Sequence, residues 1–257
     1  MLSQNPFPIG RIRARIAVMK TVAIIPARMA STRFPGKPLV DLCGKPIIQW
    51  VYERASGARR VSRVLVATCD REIAEAVAAF GGEAVMTSPA HRSGTDRVAE
   101  AAAGLEADVV VNVQGDEPLI EPASIDRAIE PFDVDDGVVM SSLMVPIDRD
   151  EAADPNLVKV VVGLDGCALY FSRYPIPYER NELVGRSIYG HVGLYAYTRE
   201  FLMRFASLEP TPLEKAESLE QLRALEHGCR IKMVEIARRP TGIDTPEDLD
   251  RVRRMLR

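Results

Sequence analysis

The residues best suited to bind phosphate lie in one loop, directly after the first predicted strand. Arg28, Arg33 and Lys37 stand four or five residues apart within residues 25–39, IPARMASTRFPGKPL. Small residues let backbone N–H groups approach phosphate oxygens, while arginine and lysine balance their charge. The loop matches neither GxxxxGK(S/T) nor GxGxxG, which argues against an ordinary ATPase and against a dehydrogenase. The alternative to a phosphate-binding loop is a solvated basic loop without a ligand.

Carboxylates form the second set of candidates. Asp116 follows residues 108–113 (DVVVNV), the clearest buried strand, and Asp244 stands just ahead of a predicted helix start. Parallel α/β sheets bind ligands at the carboxyl ends of their strands, so Asp116 would lie near the phosphate loop. A carboxylate beside a triphosphate suits Mg²⁺, which prefers oxygen ligands. A turn former or helix cap is the alternative for a lone aspartate after a strand.

The second half of the chain carries residues suited to a hydroxyl-rich ligand. In the predicted strand 190–197, alternation places His191 and Tyr195 on the same face. In the predicted helix 212–227, Glu217, Glu220 and Gln221 adjoin because they are three and four residues apart. A packed histidine and a solvated, charged helix face are the respective alternatives.

Alternating strands and helices would position these residues. The predicted strands of the first part are 21–27, 61–68, 83–86 and 108–113, and the predicted helices are 46–57, 71–80 and 94–103. This order is typical of an α/β fold with a mostly parallel, Rossmann-like sheet and helices on both faces. The later strand-like segments are 137–145, 158–162, 167–172 and 190–197. Without regular helices between them, they predict antiparallel pairs beside the parallel sheet. A strand at 230–236 and a helix capped by Thr245 follow.

Bulk composition limits the class of protein. The 257 residues are 47% hydrophobic and 27% charged, which is typical of a globular chain, and the formal net charge is −3. That balance argues against a nucleic-acid-binding surface. Four cysteines without a CxxC pair indicate reduced core thiols. No segment is apolar over a membrane-spanning length, so we expect a cytoplasmic protein without a membrane partner.

We expect one domain over residues 20–257, with an antiparallel insertion at about 137–200. Residues 1–19 contain three arginines, no acidic residue and no apolar signal core. They predict a disordered extension or an over-long start without a role in chemistry.

Several segments together resemble one family. Residues 25–39 resemble the first signature of the sugar nucleotidyltransferases, in particular the cytidylyltransferases that act on 2-keto sugar acids. The further similar segments are HRSGTDR (91–97), NVQGDEP (112–118), YFSRYPIP (170–177), HVGLYAY (191–197), PLEKAESLEQLR (212–223) and GIDTPEDL (242–249). The resemblance runs from about residue 20 to the C-terminus.

The resemblance implies an activity and a set of site residues. The implied reaction is Mg²⁺-dependent transfer of CMP from CTP to the anomeric hydroxyl of 3-deoxy-manno-octulosonate (KDO), for lipopolysaccharide biosynthesis. The implied catalytic residues are Arg28, Lys37 and Asp116, and the implied metal ligands are Asp116 and Asp244. The implied CTP-binding residues are Pro26, Ala27, Arg28, Ser31, Arg33, Lys37, Ser93, Gly94 and Gln114. The implied sugar-binding residues are Arg173, His191, Tyr195, Glu217, Glu220 and Gln221.

The chain departs from the family pattern in two places. Arg92 stands where family members often carry glutamine, and the segment between Pro177 and His191 is several residues shorter. Because that segment borders the implied sugar site, the 8-amino analogue of KDO or another 2-keto sugar acid is an alternative acceptor. A non-catalytic nucleotide-binding scaffold is the alternative from another class. The resemblance also implies a homodimer, and it implies that the insertion at about 137–200 serves sugar binding and dimer contact.

Overall fold

The computed structural model describes residues 19–30, 34–181 and 187–256. All of the predicted extension at 1–19 except Met19 lies outside the described residues, as do Ser31 and Arg33 of the predicted phosphate loop. In the described part of the chain, no helix is long and apolar enough to cross a membrane.

The first half of the chain alternates strands and helices as predicted. Its strands are β1 (Thr21–Ala27), β2 (Asp41–Leu42), β3 (Lys45–Pro46), β4 (Arg63–Thr68), β5 (Ala84–Met86) and β6 (Val109–Asn112). Its helices are α1 (Ile47–Ser56), α2 (Arg71–Ala79), α3 (Gly94–Ala103), α4 (Pro122–Ile129) and α5 (Pro131–Val134). The last two lie where no element is predicted from the sequence, although proline stands in the first turn of each.

The second half contains the remaining strands and five short or medium helices. Its strands are β7 (Met140–Ile147), β8 (Lys159–Val162), β9 (Ala168–Ser172), β10 (Ile188–Thr198) and β11 (Lys232–Glu235). Its helices are α6 (Arg149–Ala152), α7 (Arg199–Ala206), α8 (Pro212–Glu217), α9 (Gln221–Glu226) and α10 (Pro246–Met255).

The main sheet has the strand order β11-β7-β10-β6-β1-β4-β5. β1 runs parallel to β4 and β6, whereas β10 is antiparallel to both of its neighbours, β6 and β7. The antiparallel β8–β9 pair joins the same sheet through β10. The mostly parallel sheet and the antiparallel pairs are therefore confirmed, but the antiparallel strands belong to the main sheet and do not form a separate layer.

Helices cover both faces of this sheet, as predicted. Ile25 of β1 points into a core beneath α1, α2 and α4, and its neighbour Ile24 points into a core beneath α3, α7 and α9. Alternation along a fully buried strand produces this division. A third cluster, which includes Ile47 and Leu249, packs α10 against α1.

Residues 212–227, predicted as one helix, form two. α8 ends at Glu217, the next residue Ser218 has a left-handed backbone with φ 52° and ψ 49°, and α9 begins at Gln221. The Arg173 guanidinium donates hydrogen bonds to the backbone carbonyl oxygens of Glu217 and Ser218. In a continuous helix these carbonyl oxygens would accept from N–H groups of the next turn, so Arg173 replaces the donors lost at the break. The prediction that Glu217 and Glu220 adjoin on one helix face is therefore wrong.

The four cysteines are free thiols. Cys167 is buried as predicted, but Cys43 is exposed and Cys69 and Cys229 are partly buried. The prediction of core thiols is therefore wrong for Cys43, which lies in the tight turn between β2 and β3 with a φ of 53°.

Candidate active site

Loops that follow the strands meet at Pro26, near the carboxyl end of β1. A Cβ atom added to Gly115 would lie 2.8 Å from the carbonyl oxygen of Pro26, so only glycine permits this approach. Gly94, at the start of α3, also packs on Pro26, where an added Cβ would lie 3.4 Å from Cγ. The predicted CTP-binding residues Ser93 and Gln114 are the chain neighbours of these glycines. The structure thus brings these loops together at one end of the sheet.

The predicted phosphate loop is closed by hydrogen bonds at its base. The N–H of Gly36 donates to the carbonyl oxygen of Met29 at 3.0 Å, and Gly36 has a left-handed φ of 73°. The N–H of Met29 donates to Oδ2 of Asp70 at 2.7 Å, which ties the loop to the end of β4. Ala27 is buried in the sheet, whereas Arg28 is exposed beside it.

Lys37 lies between the two predicted metal ligands. Its Nζ is 2.6 Å from Oδ2 of Asp116 and 3.3 Å from Oδ1 of Asp244. The side chain of Lys37 is 12% exposed, so water screens this pair of contacts only partly. The backbone assists the convergence, because the N–H of Ile243 donates to the carbonyl oxygen of Asp116 at 2.9 Å. The role of the two aspartates as metal ligands stays a prediction.

The chemistry of this group fits a hard divalent cation. Oε2 of Glu117, next in sequence to Asp116, is buried and has no hydrogen-bond partner among the described residues. Burial, followed by the charge of Asp116, raises the pKa of Glu117 to about 8, while Arg239 opposes the rise. Burial is the main cause of this rise, and the nearby carboxylates of Asp116 and Asp244 add to it. No three His, Cys, Asp or Glu side chains within the described ranges form a metal site on their own.

Asp244 is held in place by the start of α10. Oδ2 of Asp248 accepts hydrogen bonds from the N–H groups of Asp244 and Thr245, both at 3.0 Å. Thr245 caps the helix, and its hydroxyl accepts from the N–H of Asp248. These contacts confirm the predicted cap and fix the backbone of Asp244 beside Asp116.

His191 and Tyr195 lie on one face of β10, as predicted, with ring centroids 5.5 Å apart. His191 is only 8% exposed, and its Nε2 lies 2.8 Å from Oγ of Ser142. Burial lowers the pKa of His191 to about 3, so the ring is neutral near pH 7. Burial also raises the pKa of Tyr195. Contact of either side chain with a sugar stays a prediction.

Gln114 connects the loop that follows β6 with β10. Its Nε2 donates to the carbonyl oxygen of Gly193 at 3.0 Å. Gly193 lies in a register irregularity of β10 between Val192 and Tyr195, where the strand leaves carbonyl groups outside the regular ladder. The irregularity therefore gives Gln114 an acceptor from the strand that carries His191 and Tyr195.

Glu220 lies beside the start of α3. Its Oε2 accepts a hydrogen bond from the hydroxyl of Thr95. Its buried Oε1 makes no hydrogen bond among the described residues but lies 3.7 Å from the Arg223 guanidinium in an ion pair. Burial raises the pKa of Glu220, although the hydroxyls of Thr95 and Ser93 and the charge of Arg223 act against the rise. A buried carboxylate oxygen that is ion-paired but not hydrogen-bonded is suited to accept a ligand hydroxyl. Gln221, the next residue, is also buried.

Glu217 and Arg173 form a structural junction. The hydroxyl of Ser172 donates to Oε1 of Glu217 at 2.6 Å, and the N–H of Arg173 donates to Oε2 at 2.9 Å. The Arg173 guanidinium donates to the carbonyl oxygens of Pro155 and Ser218 as well as to that of Glu217. Both predicted sugar-binding residues thus have protein partners, and their contact with a sugar stays a prediction.

A buried lysine supports the same junction. The Lys159 side chain is fully buried, and its ammonium donates to the carbonyl oxygens of Asp154 at 2.9 Å and Leu157 at 2.7 Å, and also to that of Arg173. Three acceptors match the three donors of the ammonium group. This contact joins the start of β8 to the end of β9.

Two clefts border the site. One of about 590 Å³ includes Asp244, Asn156 and Arg239 in its wall. Another of about 540 Å³ lies between the start of α3 and residues 206–223 and includes Ser93 and Glu220. One residue predicted for the nucleotide and one predicted for the sugar therefore line the same cleft.

Three residues next to the site are not predicted from the sequence. Asp70 follows β4 as Asp116 follows β6, so the rule that ligands bind after strand ends could have found it. Ser142 and Lys159 give no such signal, because their partners are set by strand pairing.

Comparison with known proteins shows extensive similarity. The chain is 56% identical over 245 residues to a 3-deoxy-manno-octulosonate cytidylyltransferase of Geobacter sulfurreducens, covering 91% of this chain and 98% of the relative. It is 50% identical over 239 residues to the Myxococcus xanthus protein of the same name, covering 93% and 97%.

Solved structures show the same relationship. A CMP:2-keto-3-deoxy-manno-octonic acid synthetase in complex with CTP superposes with a TM-score of 0.89 at 46% identity, covering 92% of this chain and 98% of that chain. A 4-diphosphocytidyl-2C-methyl-D-erythritol synthase from Anaerococcus prevotii has a TM-score of 0.63 at 12% identity, covering 93% and 99%, and shares the fold alone. The family profile described as Cytidylyltransferase matches residues 22–233. With most of its length matched, the chain belongs to the cytidylyltransferase family.

Proposed function

We propose that the protein transfers CMP from CTP to the anomeric hydroxyl of KDO and releases pyrophosphate. The observation that carries this proposal is the meeting of Lys37, Asp116 and Asp244 at the end of the sheet. It occurs in a chain that is 56% identical to a relative named for this reaction and 46% identical to a structure solved with CTP.

The nucleotide side of the site would act mainly by positioning and charge compensation. Arg28 and Lys37 would bind the triphosphate, together with backbone N–H groups of the loop that follows β1. Asp116 and Asp244 would hold Mg²⁺, which supplies positive charge against the triphosphate when bound. Direct attack by a sugar hydroxyl on the α-phosphorus needs no protein nucleophile. Ser93, Gly94 and Gln114 would contact the nucleoside.

The acceptor side of the site would bind a hydroxyl-rich acid. Oε1 of Glu220, which is ion-paired with Arg223 but not hydrogen-bonded among the described residues, would accept a sugar hydroxyl, and Gln221 would supply an adjacent amide. Tyr195 would contact the same ligand, with the neutral His191 ring packed next to it. Arg173 and Glu217 would shape the pocket by holding the break between α8 and α9.

We propose that the protein acts as a homodimer in the cytoplasm, where the product would supply lipopolysaccharide assembly. Four large apolar side chains, Leu164, Leu169, Tyr174 and Tyr178, are mostly exposed in or next to the β8–β9 hairpin. A concentration of exposed apolar residues is typical of an interface. This surface supports a dimer formed through the segment 137–200.

A pyrophosphate-release assay with Mg²⁺ tests the function. CTP, UTP, ATP and GTP are each combined with KDO, with its 8-amino analogue and with a sialic acid. We expect rapid release only with CTP and KDO. Release with CTP and a different acid would contradict the assigned acceptor but keep the reaction type. No release with any pair would favour a non-catalytic nucleotide-binding protein.

A further inference from the structure

Lys37 lies where a metal ion shared by Asp116 and Asp244 would have to bind. Its ammonium is within 3.3 Å of an oxygen of each carboxylate, and the lysine side chain is mostly buried. Magnesium binds oxygen at about 2.1 Å, so an ion on both carboxylates would lie next to the ammonium group. Two cations so close would repel each other strongly in a partly buried site.

We propose that Lys37 competes with the divalent cation for these aspartates, and that the two carboxylates are fully available to metal only when a triphosphate binds the ammonium. The inference rests on the proposed function, because it takes Asp116 and Asp244 as the metal ligands. It adds a role for Lys37 beyond phosphate binding: an internal cation that neutralises the carboxylates until the nucleotide arrives.

The location of Lys37 allows such an exchange. It follows Gly36, whose left-handed backbone turns the chain at the end of the phosphate loop, and it is the first residue of a short 3-10 turn. A lysine ammonium on a flexible four-carbon stem can change partners without movement of the backbone. A triphosphate carries more negative charge than two carboxylates and therefore competes well for the ammonium.

Competition of this kind couples two ligands. A nucleotide that draws Lys37 away raises the metal affinity of the aspartates, and linkage requires the metal to raise the nucleotide affinity equally. Removal of the ammonium should therefore give protein that binds metal tightly without any nucleotide.

The test measures Mn²⁺ binding to nucleotide-free protein from the electron paramagnetic resonance signal of the free ion. We expect Lys37→Met to bind Mn²⁺ about 5- to 150-fold more tightly than the natural protein, the usual range of coupling between two sites. Lys45→Met is the matched control, since Lys45 also pairs with a carboxylate, that of Glu53 at 2.7 Å. It should leave the Mn²⁺ affinity unchanged. Equal or weaker Mn²⁺ binding by Lys37→Met overturns the proposal.

Two further variants locate the effect and guard against misfolding. Adding Asp116→Asn to Lys37→Met should remove the gain in Mn²⁺ affinity, and persistence of the gain would place the ion elsewhere and refute the inference. Lys37→Gln repeats the test with a polar side chain, and near-ultraviolet circular dichroism confirms native packing. The melting temperature of folded Lys37→Met should rise more with Mn²⁺ than that of the natural protein.

The two proposals fail in different ways. Pyrophosphate release by the natural protein, combined with unchanged Mn²⁺ affinity in both lysine variants, refutes the competition and leaves the function intact. Tighter Mn²⁺ binding by these variants supports the competition even if no substrate pair releases pyrophosphate.

Discussion

At the scale of single residues, Asp244 and Asp248 are close in sequence but have different roles. Asp248 accepts two backbone hydrogen bonds and stabilises the start of α10, whereas Asp244, four residues earlier, contacts the ammonium of Lys37. Glu247 lies on the exposed side of the same turn. Only Asp244 is thus placed to meet Asp116, and substitutions within this short segment should separate stability from catalysis.

Asp116→Asn should lower kcat by about 100-fold or more while the protein stays folded. Loss of a residue that only supports a metal ligand already costs up to about 100-fold, and loss of a ligand should cost at least as much. Steady-state pyrophosphate release at saturating CTP and KDO measures the effect. Glu247→Gln serves as the control and should keep normal turnover. Near-normal kcat in Asp116→Asn would remove this side chain from the mechanism.

Acid should destabilise the protein through His191. Its folded pKa of about 3 lies below the ordinary value of 6.5, so between these values the unfolded chain binds a proton that the folded chain does not. Stability is therefore full above about pH 6.5 and falls by about 1.4 kcal/mol per unit as the pH decreases towards 3.

Urea unfolding at pH 7 and pH 4.5 checks this prediction. Between these conditions His191→Gln should lose about 3 kcal/mol less stability than the natural protein, since two pH units of the linkage disappear. His227→Gln, at an exposed position after α9, should keep the natural pH dependence. If all three proteins lost equal stability between pH 7 and pH 4.5, His191 would be protonated at pH 4.5 in the folded state as well as in the unfolded chain.

Some residue contacts could be predicted from the sequence and others could not. The positions of Asp116 and Asp244 follow from strand ends and a helix cap, which are local signals. The contact of Ser142 with His191 depends on the register between β7 and β10, which local sequence does not determine.

At the scale of elements, the close contact between Gly115 and Pro26 determines how the loop after β6 packs against the end of β1. An alanine Cβ would lie 2.8 Å from a backbone oxygen, so the loop would have to shift. Gly115→Ala should destabilise the protein by about 1–3 kcal/mol, the usual cost of overpacking, and raise KM for CTP more than KM for KDO.

Thermal unfolding and separate KM measurements for the two substrates check this expectation. Gly104→Ala is the matched control, because an added Cβ at this end of α3 meets no atom within 4 Å. It should change neither stability nor KM appreciably. A Gly115→Ala protein that behaves like the control would show that the loop has room to adjust.

Helix boundaries were predictable where capping residues marked them. The beginning of α10 after Thr245 follows from its threonine cap, whereas the sequence offers both Ser93 and Thr95 as caps for α3 and the structure uses Ser93. The break at Ser218 was not predictable, because residues 212–227 have the polarity of one helix and the break depends on Arg173 from the end of β9. Its guanidinium supplies donors that only the folded chain brings there.

At the scale of the whole molecule, the alternation of strands and helices was sufficient to predict the parallel part of the sheet. It did not predict that β10 and β7 lie inside the sheet between β6 and β11. Antiparallel insertion of β10 joins β7 and β11 to the parallel strands in one continuous sheet, and Gln114 donates a hydrogen bond from the loop after β6 to β10.

The exposed apolar residues of the β8–β9 hairpin predict a dimer. Light scattering after size-exclusion chromatography should give a mass of twice the 28.3 kDa of the chain. Leu169→Glu should give the monomer mass, because a charge would be buried in the interface. Met86→Glu, on the β5 edge of the sheet, should stay dimeric. A natural protein with the mass of one chain would contradict the proposed assembly.

The chemical reactivity of the buried Lys159 side chain should report on opening of the β8–β9 hairpin. All three N–H bonds of its ammonium are directed at carbonyl oxygens, and its side chain is fully buried. Acylating reagents react with the deprotonated, accessible amine, so in intact protein they should label surface lysines such as Lys45 and spare Lys159. Mass-spectrometric footprinting over increasing times would then reveal labelling of Lys159 only when β8 and β9 separate. The rate of that single modification would measure how often the region supporting the proposed acceptor pocket opens.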